Sequence, residues 1–222
     1  MSPITVSNIL DINVKDISFS QAKTMDNGGK MINIYHKKAP FVFKVPSMSA
    51  PYGISDWKMQ KFSIDLSLTP EMEAVKSKFE EIEKRFIDEA AENSMKWIGR
   101  KEDPEVLEEL FTSAIRYPRD KVTGDIIDKY PPTIKFQVPY KNEKFTCTAY
   151  NSSKSTLAIS SDTIPKKSMV AAVVHCSGIW VAGGKFGCTM KIEQMKVDAN
   201  KNVLDKYAFM IDEDENVLTE QN

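Results

Sequence analysis

The sequence predicts a mainly β protein: an OB-like Greek-key barrel that carries two amphipathic helices on one side, with a two-sheet sandwich as the competing architecture. Three observations predict it. Apolar residues alternate with period two in Trp57–Leu68, Thr133–Tyr140 and Lys185–Ile192. Between the first two of these segments, apolar residues recur every three to four positions. Near the C-terminal end the stretch GIWVAGGKFG places glycines where bulges and tight turns form.

Taken in order, the first thirty residues are mixed and polar and end on the turn signal Asn27-Gly28-Gly29. Strands are expected at Met31–Lys37 and Phe41–Val45, followed by a loop from Pro46 to Gly53. In Trp57–Leu68, Phe62, Ile64, Leu66 and Leu68 face one way and Trp57, Met59, Lys61, Ser63 and Asp65 the other. Thr69 as N-cap and Pro70 at the first helical position open a helix whose stripe is Met72, Val75, Phe79, Ile82, Phe86 and Ala90, running to about Ile98. Asp103-Pro104 opens a second, with Leu107, Leu110, Phe111 and Ile115. The stripes read as core packing. After Tyr130-Pro131-Pro132, Thr133–Tyr140 and Lys144–Tyr150 form a hairpin, with Ile134, Phe136, Val138 and Tyr140 inward. A polar loop spans Ser152–Ser161. Ser168–Cys176 is nearly all apolar, as in a central strand covered on both faces. Lys185–Ile192 alternates again, with Phe186, Cys188, Met190 and Ile192 inward. The chain divides into an N-terminal segment 1–30, a barrel domain 31–211 with its helical insertion at about 69–115, and a tail 212–222.

The 222 residues suit one well-buried domain, and 41% hydrophobic with 27% charged residues is a globular composition. The N-terminus MSPITVSNIL has neither a basic leader nor a sustained apolar run, and no stretch is long enough to span a bilayer. Three cysteines without CxxC spacing argue against a disulfide framework or zinc ribbon. A reducing, intracellular location is expected. The net charge of −1 hides a segregated pattern: residues 1–70, 71–115, 116–202 and 203–222 carry net +3, −6, +7 and −5. Cations cluster in the strand-rich parts, where a phosphate backbone would be attracted.

One constellation therefore stands out. Tyr35, Lys37, Trp57, Lys61, Lys135, Lys144, Tyr150, Trp180, Lys185 and Lys191 fall on the polar side of alternating segments or beside a glycine. Single-stranded nucleic acid needs that pairing, cations for phosphates and rings for unpaired bases. Phe186 points with the core, so Trp180 and Lys185 are the stronger candidates. The tail acids Asp212, Glu213, Asp214 and Glu215 can mimic a phosphate backbone and lie across the basic face until DNA displaces them. His175 and Cys176 are adjacent on one strand and point to opposite faces, so they cannot converge on a metal. Gly183-Gly184 lacks phosphate-loop spacing. No catalytic residue, metal or cofactor is expected.

YGISDWKMQKFSIDLSL at Tyr52–Leu68, the helical stretch, IRYP at Ile115–Pro118 and GIWVAGGKFGCTMKIEQMKV at Gly178–Val197 together resemble the single-stranded-DNA-binding proteins of nucleocytoplasmic large DNA viruses, a group similar to the single-stranded-DNA-binding protein of short-tailed phages. The resemblance implies an OB fold that coats single strands during viral DNA replication and recombination without nucleotide hydrolysis. It also implies an acidic tail that competes with DNA and contacts replication proteins, in the host cytoplasm, virus factory or nucleus. This tail matches in charge but continues to Asn222 without the terminal aromatic of the phage proteins. The other readings of the same pattern are a non-enzymatic virion or docking module and an RNA-binding OB module. A homo-oligomer is compatible with each, and a membrane partner with none.

Overall fold

The structure, a computed structural model, describes residues 6–56 and 61–199. The strands and helices that position the candidate site are β1 (Lys30–His36), β2 (Val42–Ala50), β3 (Phe62–Ser67), α1 (Glu73–Trp97), α2 (Pro104–Leu110), β4 (Phe111–Thr112), β5 (Ile115–Arg116), β6 (Thr133–Val138), β7 (Thr148–Tyr150), β8 (Ser168–Ala182) and β9 (Lys185–Asp198). The spine of the sheet runs β2, β8, β9, β6, β3. The long β8–β9 hairpin is its centre. On one side of β8, β1 pairs with its second half and β2 with its first. On the far side of β9, three short parallel partners follow one another: β4 at Phe186–Gly187, β6 at Lys191 and β7 at Gln194–Lys196.

The expected closed barrel is not formed. Ser7–Asn8 ends the path beside β2 and Ile54–Asp56 ends it beside β3, and these edges do not pair with each other. Closure needs the first and last strands of the path to hydrogen-bond to each other. Along β9 the far side is shared by three separate short segments, so the sheet branches there.

One face of the curved sheet is covered by α1. Val75, Phe79, Ile82, Phe86 and Ala90 of the expected stripe are all buried. The Phe79 ring lies 5.9 Å from Phe43 of β2 and 6.1 Å from Phe136 of β6, so the helix is seated on both halves of the sheet. Phe86 meets Phe19 at 6.0 Å. Ile9, Ile12 and Ile17 from the N-terminal segment enter the same core. Pro70–Met72 forms a 3-10 turn before α1, and the helix bends at Asn93, whose side-chain amide donates to the Glu89 carbonyl at 3.1 Å.

Several boundaries differ from expectation, each because a distant partner wins over local pattern. Of the strand expected over Trp57–Leu68, residues 57–60 lie outside the described residues; Phe62–Ser67 is strand, and Ile54–Asp56, ahead of the expected start, pairs with it antiparallel. β2 continues through Pro46 to Ala50, where a loop was expected; a register shift opposite Ala171 accommodates a proline that has no N–H to donate. The second helix stops at Leu110, and Phe111 becomes strand with its ring 5.2 Å from Phe186. The expected Thr133–Tyr150 hairpin survives only at its tip, Tyr140–Lys141 against Lys144–Phe145, with Asn142 and Glu143 both at positive φ. β7 pairs with β9 instead. β8 is central but not covered on both faces: its inner residues Val170, Ala172, Val174 and Cys176 are buried, whereas Ala171, Val173 and His175 opposite are half-buried and Met169 is exposed. Among the described residues no helix is long and apolar enough to cross a membrane.

Candidate nucleic-acid interface

The site grows out of the β8–β9 hairpin. Gly183 and Gly184 adopt φ of 59° and 75°, the two-residue turn that matches strand twist and that a Cβ would disfavour. Three residues before the turn, Trp180 stands on the outer face directly opposite Gly187. A Cβ on Gly187 would lie 2.8 Å from Trp180 Cζ2 and 2.9 Å from the Thr112 carbonyl oxygen, so the indole rests on bare backbone. Gly187→Ala is expected to displace the ring and cost about 1–3 kcal/mol, as overpacking does; a melt together with a change in the tryptophan emission spectrum checks it.

Between the pairing of Gly187 with Thr112 and that of Lys191 with Gln137, the far side of β9 opens into a groove of about 270 Å³. Trp180 and Thr189 form one wall, and Thr112, Ser113, Ala114 and Arg116 the other, with Lys135 and Gln137 beyond. A second groove of about 560 Å³ continues past Gln137, which lines both. Lys61, Lys141 and Lys191 supply its cations and Phe62 and Tyr140 its rings. Phe62, Tyr140 and Phe145 pack mutually at 4.8–4.9 Å, which holds the Tyr140 hairpin tip in place.

Electrostatics concentrate where the grooves meet. Lys135 lies opposite Asp65 in the β6–β3 register. Burial, and after it the Arg116 guanidinium, lower the Lys135 pKa, with Asp65 working in the other direction. Burial raises the Asp65 pKa against the pull of Arg116 and Lys135.

The expected site residues separate into groups. Lys61, Lys135, Trp180 and Lys191 line the two grooves. Lys144 sits opposite Lys141 on the hairpin tip, and Lys185 is exposed beside the Gly183-Gly184 turn; neither lines a groove. Tyr150 pairs with Lys196, farther along β9. Tyr35 and Lys37 lie across β8 from the grooves, Tyr35 between Ser18 and Pro40 and Lys37 3.9 Å from Asp16. Trp57, Asp212, Glu213, Asp214 and Glu215 lie outside the described residues.

Sequence reasoning missed Arg116, Lys141 and Tyr140. Arg116 was in view within IRYP. Parity assigns Tyr140 to the core, but Pro139 interrupts the strand and leaves the ring half-buried at the groove.

Cys176 is buried and His175 faces the other way, 3.3 Å from Glu193. The Cys176 and Cys188 sulfurs lie 2.6 Å apart. Burial pushes the Cys147 thiol up to about 11 and Cys188 well above its ordinary value, so neither is a ready thiolate. Among the described residues no cluster of three or more His, Cys, Asp or Glu could hold a metal.

A family model described as a family of unknown function, DUF5871, matches residues 55–211. The chain belongs to the DUF5871 family. The family match spans β3 and both grooves and carries no assigned activity. No curated protein matches the chain. Among solved structures, the chain is similar to a C-terminally truncated single-stranded DNA-binding protein from bacteriophage Enc34, at 12% identity over 82% of this chain and 96% of that one, with a TM-score of 0.46. It is similar to the same phage protein in complex with ssDNA at 12% identity, over 81% and 91% of the two chains, with a TM-score of 0.41. It is also similar to gp2.5, a single-stranded DNA-binding protein encoded by bacteriophage T7, at 10% identity over 78% and 99%, with a TM-score of 0.42.

Proposed function

We propose that this chain is a non-enzymatic protein that binds single-stranded DNA along the two joined grooves and coats it with little sequence preference. The observation that carries the reading is the continuity of the track. Gln137 lines both grooves; Trp180, Arg116 and Lys135 line the first with it, and Tyr140, Lys61, Lys141 and Lys191 the second. Cations along a backbone path, with rings whose faces accept any base, are the chemistry of sequence-tolerant single-strand binding. The groove walls offer hydroxyls and an amide besides, and the reading includes no hydrolytic step. Its setting is viral DNA replication and recombination inside the infected cell. The OB-like character of the domain and the relationship to the large-virus proteins belong to this same reading and rest on the quoted motifs. In it, the acids at 212–215 compete with DNA for the cationic track and contact replication proteins.

The test is a titration of fluorescein-labelled oligo-dT of about thirty nucleotides, at low and moderate salt, with the full chain and with a chain ending at residue 211. Binding is expected to weaken with salt, with a slope of log K against log salt of roughly −3.5 if all five groove cations meet phosphates. The shortened chain should bind more tightly at low salt. No binding by either form overturns the reading in favour of a protein-docking module; tighter binding to oligo-U overturns the choice of DNA.

A further inference from the structure

Glu83 is an acid in the wrong place for a solvated helix face. It follows Phe79 by four residues and precedes Phe86 by three, inside the buried stripe of α1, and is itself only 7% exposed. A carboxylate there gives up its hydration, and burial raises its pKa. Such a group persists where it answers donors that would otherwise go unpaired.

Both oxygens are used, and on one target. Oε2 accepts the Ser113 hydroxyl at 2.7 Å and Oε1 the Ala114 N–H at 2.7 Å. From there the bonds continue toward the groove. Ser113 Oγ accepts the Ile115 N–H at 2.9 Å, and the Ala114 carbonyl accepts the Lys135 N–H at 3.1 Å. The segment held in this way joins β4 to β5, two strands of two residues each. Pairing that short supplies little rigidity of its own. Yet Ser113, Ala114 and Arg116 line the groove together with Trp180.

We propose that Glu83 is a positioning residue for the DNA track: its two hydrogen bonds fix the 113–116 wall and thereby hold the Arg116 guanidinium at the phosphate path beside Lys135. This rests on the single-strand-binding reading above. Glu83 touches no DNA itself. It sets where a cation on a different element stands, and the affinity it controls passes through Arg116.

The experiment compares oligo-dT affinity and its salt slope for wild type, Glu83→Leu, Glu83→Gln, Arg116→Ala and the Glu83→Leu/Arg116→Ala double variant, with a melt for each. Arg116→Ala should weaken binding about tenfold, the size of one lost cationic contact, and make the slope shallower by roughly 0.7. Glu83→Leu should reproduce both changes, and the double variant should be no weaker than Arg116→Ala alone, because the two act on one contact. Glu83→Gln should retain affinity, since its amide oxygen still accepts from Ala114 and its amide N–H can donate to the Ser113 hydroxyl oxygen. If Glu83→Leu does not fold, Ser113→Ala serves in its place: it removes one bond of the pair, and a loss of about threefold that disappears in the Arg116→Ala background is expected.

A folded Glu83→Leu with wild-type affinity and slope overturns the proposal. So do losses that multiply in the double variant, or a Glu83→Gln as weak as Glu83→Leu, because geometry and not charge is the claim. Wild type is titrated first: if it does not bind, the single-strand reading itself falls, and the positioning proposal with it.

Discussion

Replacing Phe79 with alanine is expected to lower the unfolding free energy by about 3–5 kcal/mol, the range for removing a buried phenylalanine. Its ring is fully buried and bridges β2 and β6 through Phe43 and Phe136, so the void would open where α1 packs on both halves of the sheet. The sheet is not closed on itself, and through this contact the helix joins its two halves. Against a total stability of about 5–15 kcal/mol the loss is a large fraction. For a chain of this size it corresponds to a fall of roughly 6–20 °C in Tm. Denaturant unfolding followed by circular dichroism would measure it, with the midpoint moving and the slope constant. A loss below about 1 kcal/mol would mean that α1 is not seated through Phe79.

Trp180→Ala should have the opposite profile, a small change in stability and a large one in DNA affinity. The indole is half-buried, with one side on Gly187 and the other toward the groove, so its removal exposes backbone more than it opens a core cavity. Base stacking on an aromatic side chain contributes about 1–3 kcal/mol, which is roughly 5- to 150-fold in Kd. Trp180→Phe should recover part of it. The salt slope should stay as in wild type, because no cation is removed. Affinity within twofold of wild type would move the base contact away from this end of the track, and tryptophan quenching that survives the substitution would point to another indole.

Much of this was legible from local pattern. The 3–4 spacing of Val75, Phe79, Ile82, Phe86 and Ala90 is the buried face of α1. Parity in Lys185–Ile192 placed Phe186 inward and Lys185 and Lys191 outward, and GIWVAGGKFG placed an outward tryptophan beside a glycine turn. Glu83 carried a signal as well, an acid within an apolar stripe, although nothing local told what it would bond. Tyr35 and Lys37 had the same outward pattern as Lys135 and Lys191 and lie on the other side of β8. Alternation assigns a face to a residue, and it says nothing about which strand will be the neighbour.

By itself, then, the sequence determined that the chain is mainly β with a helical insertion, which residues of each segment are apolar enough to be inside, and that cations and rings gather on the outside. Those properties are local: they follow from side-chain period, capping residues and turn glycines within a few positions. Only the tertiary structure decided that the sheet stays open, that Phe111 is strand, and that Arg116, Lys135, Gln137 and Tyr140 share one track with Trp180. Those features depend on β9 taking three parallel partners along one side, pairings between residues up to 75 positions apart, as for Phe111 with Phe186 and Thr112 with Gly187. Such contacts are selected by the free energy of the whole packed core, which no window of neighbouring residues contains.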